Sequence, residues 1–157
     1  MKAHDALKSA QNLSTMVLKS YVSDLSDTEL FERPGPGCNH LAWQLGHLIS
    51  SECHLLEAVV PGSAPALPEG FAAKHSKEAA AETDPAKFCS KQEYLELMDK
   101  VQAASRVALD QLSEADLDKP SPEHFKAYAP TVGDVFGLIA THPMMHAGQF
   151  VPVRRAL

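Results

Sequence analysis

The chain has 157 residues, 45% of them apolar, which is enough for a single domain over residues 1–157 closed around one hydrophobic core. It carries 14 basic and 20 acidic residues, a net charge of −6, and no Lys/Arg run that could neutralise phosphates, so no nucleic-acid partner is expected. Cys38, Cys53 and Cys89 are too scattered for a CxxC knuckle or a disulfide framework, and no stretch has the apolar run of a signal peptide or the roughly 18–20 residues of a membrane span, so a soluble, cytoplasmic protein with reduced thiols is expected.

Four helical segments are predicted, and no strand. From Ala3 to about Asp24, apolar residues recur with helical spacing at Leu7, Ala10, Leu13, Met16, Val17 and Tyr21. Arg33-Pro34-Gly35-Pro36-Gly37 ends any helix. Asn39 is placed to cap a second helix that runs to about Val60 and is closed by Pro61-Gly62. An Ala/Pro/Gly-rich connection follows from Gly62 to about Phe88, with a short helical turn predicted within 77–82. A connection of that length in a compact domain is usually functional or mobile. A third helix spans about Lys91–Leu112, with Tyr94, Met98, Val101, Ala108 and Leu112 facing inward. Pro120, Pro122 and Pro130 punctuate the next segment. Thr131 then caps the last helix, with Asp134 completing a variant capping box. Four helices of about twenty residues suit a four-helix bundle, and the long connection makes this an all-α bundle with a crossover between helices 2 and 3.

The last helix carries His142 and His146. At about 100° per residue the two side chains lie roughly 40° apart on the wheel. They share an inward stripe with Val135, Leu138, Ile139, Met145, Gln149, Phe150 and Val153. Two histidines on one buried stripe either find separate hydrogen-bond partners or share a ligand. An unpaired buried polar group costs about 1–3 kcal/mol, and a common metal ion would satisfy both.

The second helix has no Lys or Arg from His40 to Val60, so it is expected to be largely buried. His40, His47 and His54 recur every seven residues, with Trp43, Gln44, Ser50 and Ser51 beside them. This face lies opposite the apolar arc Leu41, Leu45, Leu48, Leu55, Leu56 and Val59, and could wall an open cleft. The wheel does not choose among the three histidines as a third donor. Glu52 falls inside the apolar arc and therefore needs a partner or a raised pKa. A structural ion pair with Arg154 or Arg155 is the favoured reading; support of a metal-bound histidine, or general-base action, is the other. His4, His75 and His124 lie in terminal or loop segments and are read as surface residues. Cys38, just before the second helix, is read as a small structural residue rather than a nucleophile. No Ser-His-Asp set, Gly-rich phosphate loop or HExxH is present.

Trp43-Gln44-Leu45-Gly46-His47-Leu48, with Glu52 beyond it, resembles the second-helix signature of the DinB-like (YfiT-like) metalloenzymes. Thr131-Val132-Gly133-Asp134-Val135, then His142-Pro143-Met144-Met145-His146-Ala147-Gly148-Gln149 and Arg154-Arg155, is similar to the last helix of that family. The resemblance implies a four-helix bundle with a three-histidine divalent-metal site, carried here by His47, His142 and His146. It also implies a homodimer and a reaction using a low-molecular-weight thiol, in a transferase or isomerase. One departure is Pro143, between the two last-helix ligands. It removes the hydrogen bond to the Ile139 carbonyl and should kink the helix, and Pro152 repeats the disruption.

Three imidazoles with open coordination positions suit zinc, nickel or iron. Such a metal could act as a Lewis acid, lower the pKa of a bound water towards about 7, or hold a thiolate, for thiol transfer, isomerisation or hydrolysis of a small molecule. Gln149, Glu52, His54 and His40 are the candidates to orient the ligands or the nucleophile. The competing expectation is a non-catalytic metal-binding or stress-response module that uses the bundle as a binding or dimerisation scaffold.

Overall fold

The computed structural model describes Met1–Leu157 as an all-helical chain without strands. Its helices are α1 (Ala3–Val22), α2 (Leu41–Val59), α3 (Phe71–Lys74), α4 (Lys91–Gln111), α5 (Glu114–Leu117) and α6 (Val132–Ala156). Short 3-10 turns lie at Glu29–Phe31, Lys77–Ala79, Pro85–Lys87 and Glu123–Phe125. The four long helices are the predicted ones, with ends that differ by one or two residues. α1 lies along α6, while α2 packs on both α4 and α6.

Local chemistry explains most boundaries. Ser90 and Glu93 form a reciprocal capping box at α4, and Thr131 and Asp134 form another at α6. The α2 cap is His40, not Asn39: its Nδ1 accepts the Trp43 backbone N–H at 3.1 Å. An imidazole acceptor at a cap position escapes a rule built on short polar side chains. The α6 helix continues through Pro143 and Pro152 to Ala156.

The inward face of α1 is not simply its apolar stripe. Leu13 and Met16 are 53% and 60% exposed, while Gln11, Ser14, Thr15, Leu18 and Val22 are buried. The reason is polar pairing across the interior. Gln11 donates to Glu52, the Ser14 hydroxyl to the Ala140 carbonyl, and Gln102 of α4 donates to Thr15. The side chains that had partners went inside, and an apolar pair was left out.

Two hydrophobic clusters divide the core. The larger gathers Leu18, Val22, Leu41, Leu45, Ile49, Tyr94, Met98 and Phe150 around the start of α2. The smaller gathers Leu55, Leu56, Leu109, Phe125, Val135 and Phe136 around its end. The connection from α2 to α4 belongs to the larger cluster through Phe71, which is 2% exposed. His75 on the same connection is fully buried too, contrary to its reading as a surface residue. It found two partners: Nδ1–H donates to the Phe71 carbonyl at 2.8 Å, and Nε2 accepts the Tyr94 hydroxyl at 2.7 Å.

Candidate metal centre

α2 and α6 cross so that His47 meets His142 and His146. One side-chain nitrogen from each lies within 4.8 Å of the others. The ring centroids are 5.3 Å apart for His47–His142, 5.5 Å for His47–His146 and 4.9 Å for His142–His146. His146 is buried, and His47 and His142 are half-buried. The wheel accounts for this gradient, because the buried arc of α6 centres on Phe136, Pro143 and Ala147 and the two histidines sit at its edge.

Hydrogen bonds set the tautomer of His146. Gln44 Nε2 donates to the Asn39 carbonyl at 2.8 Å, which turns its Oε1 towards His146. Nδ1–H of His146 then donates to that oxygen at 2.8 Å. The lone pair of His146 is therefore on Nε2, which faces His142 Nε2 at 3.2 Å. Around a tetrahedral zinc at about 2.0–2.1 Å, two donor nitrogens stand about 3.3 Å apart. The pair thus has the spacing of two ligands of one ion. A backing acceptor on the second ring nitrogen is the usual support of a metal-bound histidine.

All three rings are held neutral. Burial pushes the His142 pKa down to about 4, with a smaller effect of His47. Burial, then His142 and His47, push His146 down to about 3. Burial alone lowers His47. Neutral imidazole is the ligating form, so the donor set fits a divalent cation.

Sequence comparison settles the family. The sequence profile of the DinB superfamily matches residues 12–150. The chain belongs to the DinB superfamily. Its fold is also that of a solved structure, a conserved protein from Enterococcus faecalis. The two chains share 18% identity with a TM-score of 0.70, over 99% of this chain and 96% of that one. No curated protein matches the sequence significantly.

Of the four residues expected around the histidines of this DinB-superfamily chain, His40 and Glu52 bond outside the trio, and His54 and Gln149 are exposed. His40 is buried at the α2 cap, its Nε2 3.1 Å from the Glu82 carbonyl and its ring between Phe31 and Phe88. It precedes the helix, so it does not share the wheel of His47. His54 is exposed, with its ring beside His124 and Phe125. Gln149 is exposed, as is Met145 at 54%. Met145 is about 200° around the wheel from buried Pro143, so the predicted stripe was drawn too wide. Glu52 has no arginine from α6: Arg154 pairs with Asp24 instead. Its Oε1 accepts Gln11 Nε2 at 3.1 Å and the Ser105 hydroxyl at 2.7 Å.

Gln44 is the supporting residue that the sequence reading passed over, although it was placed among the polar flanks of α2. Its signal was position. It lies one turn before His47, fully buried, in a helix without a basic residue.

Proposed function

We propose that His47, His142 and His146 bind one divalent ion, and that the protein is a metal-dependent enzyme of the thiol-dependent transferase, isomerase or hydrolase type. The observation that carries the reading is the opposed Nε2 pair. His146 presents a lone pair there, its other nitrogen is already committed to Gln44, and a third imidazole closes the group. A zinc, nickel or iron ion held by these three neutral imidazoles would supply Lewis acidity. The chain's own contribution is to hold the three rings neutral and to fix the His146 tautomer through Gln44.

The same reading takes the four long helices as a four-helix bundle with a crossover between α2 and α4, forming one cytoplasmic domain with its thiols reduced. A small thiol is the proposed co-substrate. A homodimer is proposed as well, supported by exposed Leu13 and Met16 on α1 and Met144 and Met145 on α6. No helix is long and apolar enough to cross a membrane.

Elemental analysis of protein purified without an affinity tag tests the metal. About one ion per chain is expected in the wild type, and none in a His142→Ala/His146→Ala double variant. Equal, negligible metal in both would sink the reading. A second reading, a non-catalytic metal-binding or stress-response module, is favoured by where the clefts lie. Two clefts of about 440 and 430 Å³ are lined from residues 74–88 and 27–90, and none of the three histidines lines either. Turnover by the metal-loaded protein in thiol-conjugation and hydrolase assays would decide for the enzyme; its absence would decide for the module.

A further inference from the structure

We propose that Trp43 is a positioning residue for His47, and that the connection between α2 and α4 locks it in place, so that docking of that connection and metal uptake are coupled. This rests on the metal reading above.

The starting point is an asymmetry among the three histidines. A metal-bound imidazole is ordinarily oriented by a hydrogen bond from its second nitrogen. His146 has that bond, to Gln44, and the His142 ring faces His146. No hydrogen bond orients His47. Its ring instead lies flat on the indole of Trp43, with centroids 5.0 Å apart and planes 5° from parallel. The stack fixes the plane of the imidazole, which decides whether its lone pair points at the other two.

The indole is itself held. Trp43 Nε1–H donates to the Ser76 carbonyl at 3.0 Å. Ser76 follows His75, and His75 is anchored to Phe71 and to Tyr94 of α4. The His75 ring lies directly on the backbone of Gly46, the residue before His47. A Cβ built on Gly46 would stand 2.0 Å from His75 Cδ2, so only glycine leaves room for the ring. The connection therefore reaches the metal centre in two ways. It seats His75 on α2 beside His47, and it ties down the far edge of the tryptophan that covers His47.

Trp43 is 6% exposed, and simple core filling would account for its burial. Filling does not require a parallel stack on the one ligand that lacks a hydrogen bond, nor an indole N–H spent on the connection. Coupling is also reciprocal: if docking of the connection favours metal, metal must favour docking to the same degree.

Trp43 is the only tryptophan, and one set of measurements on the full chain decides the matter. Zinc affinity is measured by competition with a chromophoric chelator for the wild type, Trp43→Leu and Trp43→Phe, with circular dichroism confirming the fold of each. Amide exchange at His75 and Ser76 is followed in the wild type with and without zinc. The expected result is a loss of about tenfold or more in affinity for Trp43→Leu, in the range for groups that orient a ligand. Most of it should be regained in Trp43→Phe, which restores an aromatic face. Exchange at His75 and Ser76 should slow when zinc binds. A folded Trp43→Leu protein with wild-type affinity would overturn the proposal, leaving the metal reading intact. So would unchanged exchange in zinc-loaded wild type, an outcome that does not depend on any variant folding. A wild type that takes up neither zinc, nickel nor iron would bring down the metal reading and the positioning role together.

Discussion

Helix α2 feeds two buried polar clusters five residues apart, and they are built on opposite terms. Around Glu52, donors and acceptors match. Gln11 and Ser105 donate to the carboxylate, and Arg106 Nε donates to Gln11 Oε1 at 3.1 Å. Around His47, three bases converge and only His146 has a hydrogen-bond partner outside the trio. The first cluster is closed within the chain; the second brings three imidazole nitrogens together, the arrangement proposed to hold a cation. Burial disfavours the charged form in both, so the pKa shifts have opposite signs. It lowers the histidines and raises Glu52 to about 7, against which the Ser105 and Gln11 hydrogen bonds and Arg106 work. A buried polar side chain is thus weak evidence for a ligand site. A set of imidazole nitrogens converging on one point is stronger evidence.

The largest effect should come from breaking the open cluster. His142→Ala/His146→Ala should abolish metal uptake while helix content is retained. The variant leaves Gln44 Oε1 unpaired, at about 1 kcal/mol. Zinc should raise the unfolding midpoint of the wild type, by about 2.7 kcal/mol of stability at a hundredfold excess over Kd, and do nothing for the variant. Equal zinc shifts in calorimetry would remove the distinction between the two clusters.

Gly46→Ala acts between them on α2. The added methyl meets the His75 ring rather than a flexible chain end. A loss of about 3 kcal/mol in urea unfolding is expected. A loss within about 0.5 kcal/mol, the scale of ordinary surface changes, would show that the connection does not sit where it is placed.

Glu52→Gln sharpens the titration contrast in metal-free protein. The Glu52 pKa is raised from 4.5 to about 7 on folding, so the folded chain binds the extra proton between those values. Its contribution is full below about pH 4.5 and is lost as pH rises through 7. The histidines run the other way. Their folded values lie below the ordinary 6.5, so stability is full above 6.5 and is lost as pH falls towards 4 and 3. Between pH 4.5 and 6.5 the two slopes oppose each other in the wild type. Glu52→Gln keeps an amide oxygen for both donors and removes one slope. Its stability should therefore fall more steeply on acidification, measured by urea unfolding at intervals of pH; parallel curves would refute the assignment of Glu52.

The smallest effect is a control on α6 away from both clusters. Thr131→Ala removes the side-chain acceptor for the Asp134 N–H. It should cost about 1 kcal/mol of stability and leave zinc affinity unchanged. A change in zinc affinity would mean that the start of α6 bears on the histidines after all.

Both ligand-bearing helices were readable because their signals are local. Period 3.6 marked α2 and α6, Pro-Gly pairs marked the breaks on either side of α2, and the Thr131–Asp134 box marked the start of α6. The HxxxH spacing was equally local, since residues four apart on a helix must share a side. The third donor was not. His40, His47 and His54 are alike in sequence, and the choice of His47 came from the family resemblance; the geometry then placed His47 by the pair and sent the other two elsewhere. The partners of Glu52 were out of reach for the same reason. Glu52 found Gln11 and Ser105 from helices α1 and α4, whose facing could not be known before they packed.

The sequence by itself determined the four long helices, the breaks around α2, the Thr131 cap of α6 and the HxxxH pair, because hydrogen bonds within a few residues and the helical repeat control them. Only the tertiary structure decided which face of α1 went inside, that His75 would seat on Gly46, and that Gln44 and Trp43 would support the histidines. Each of those depends on partners far apart in the chain, and their pairing is selected when the helices pack and every buried polar group must find a match.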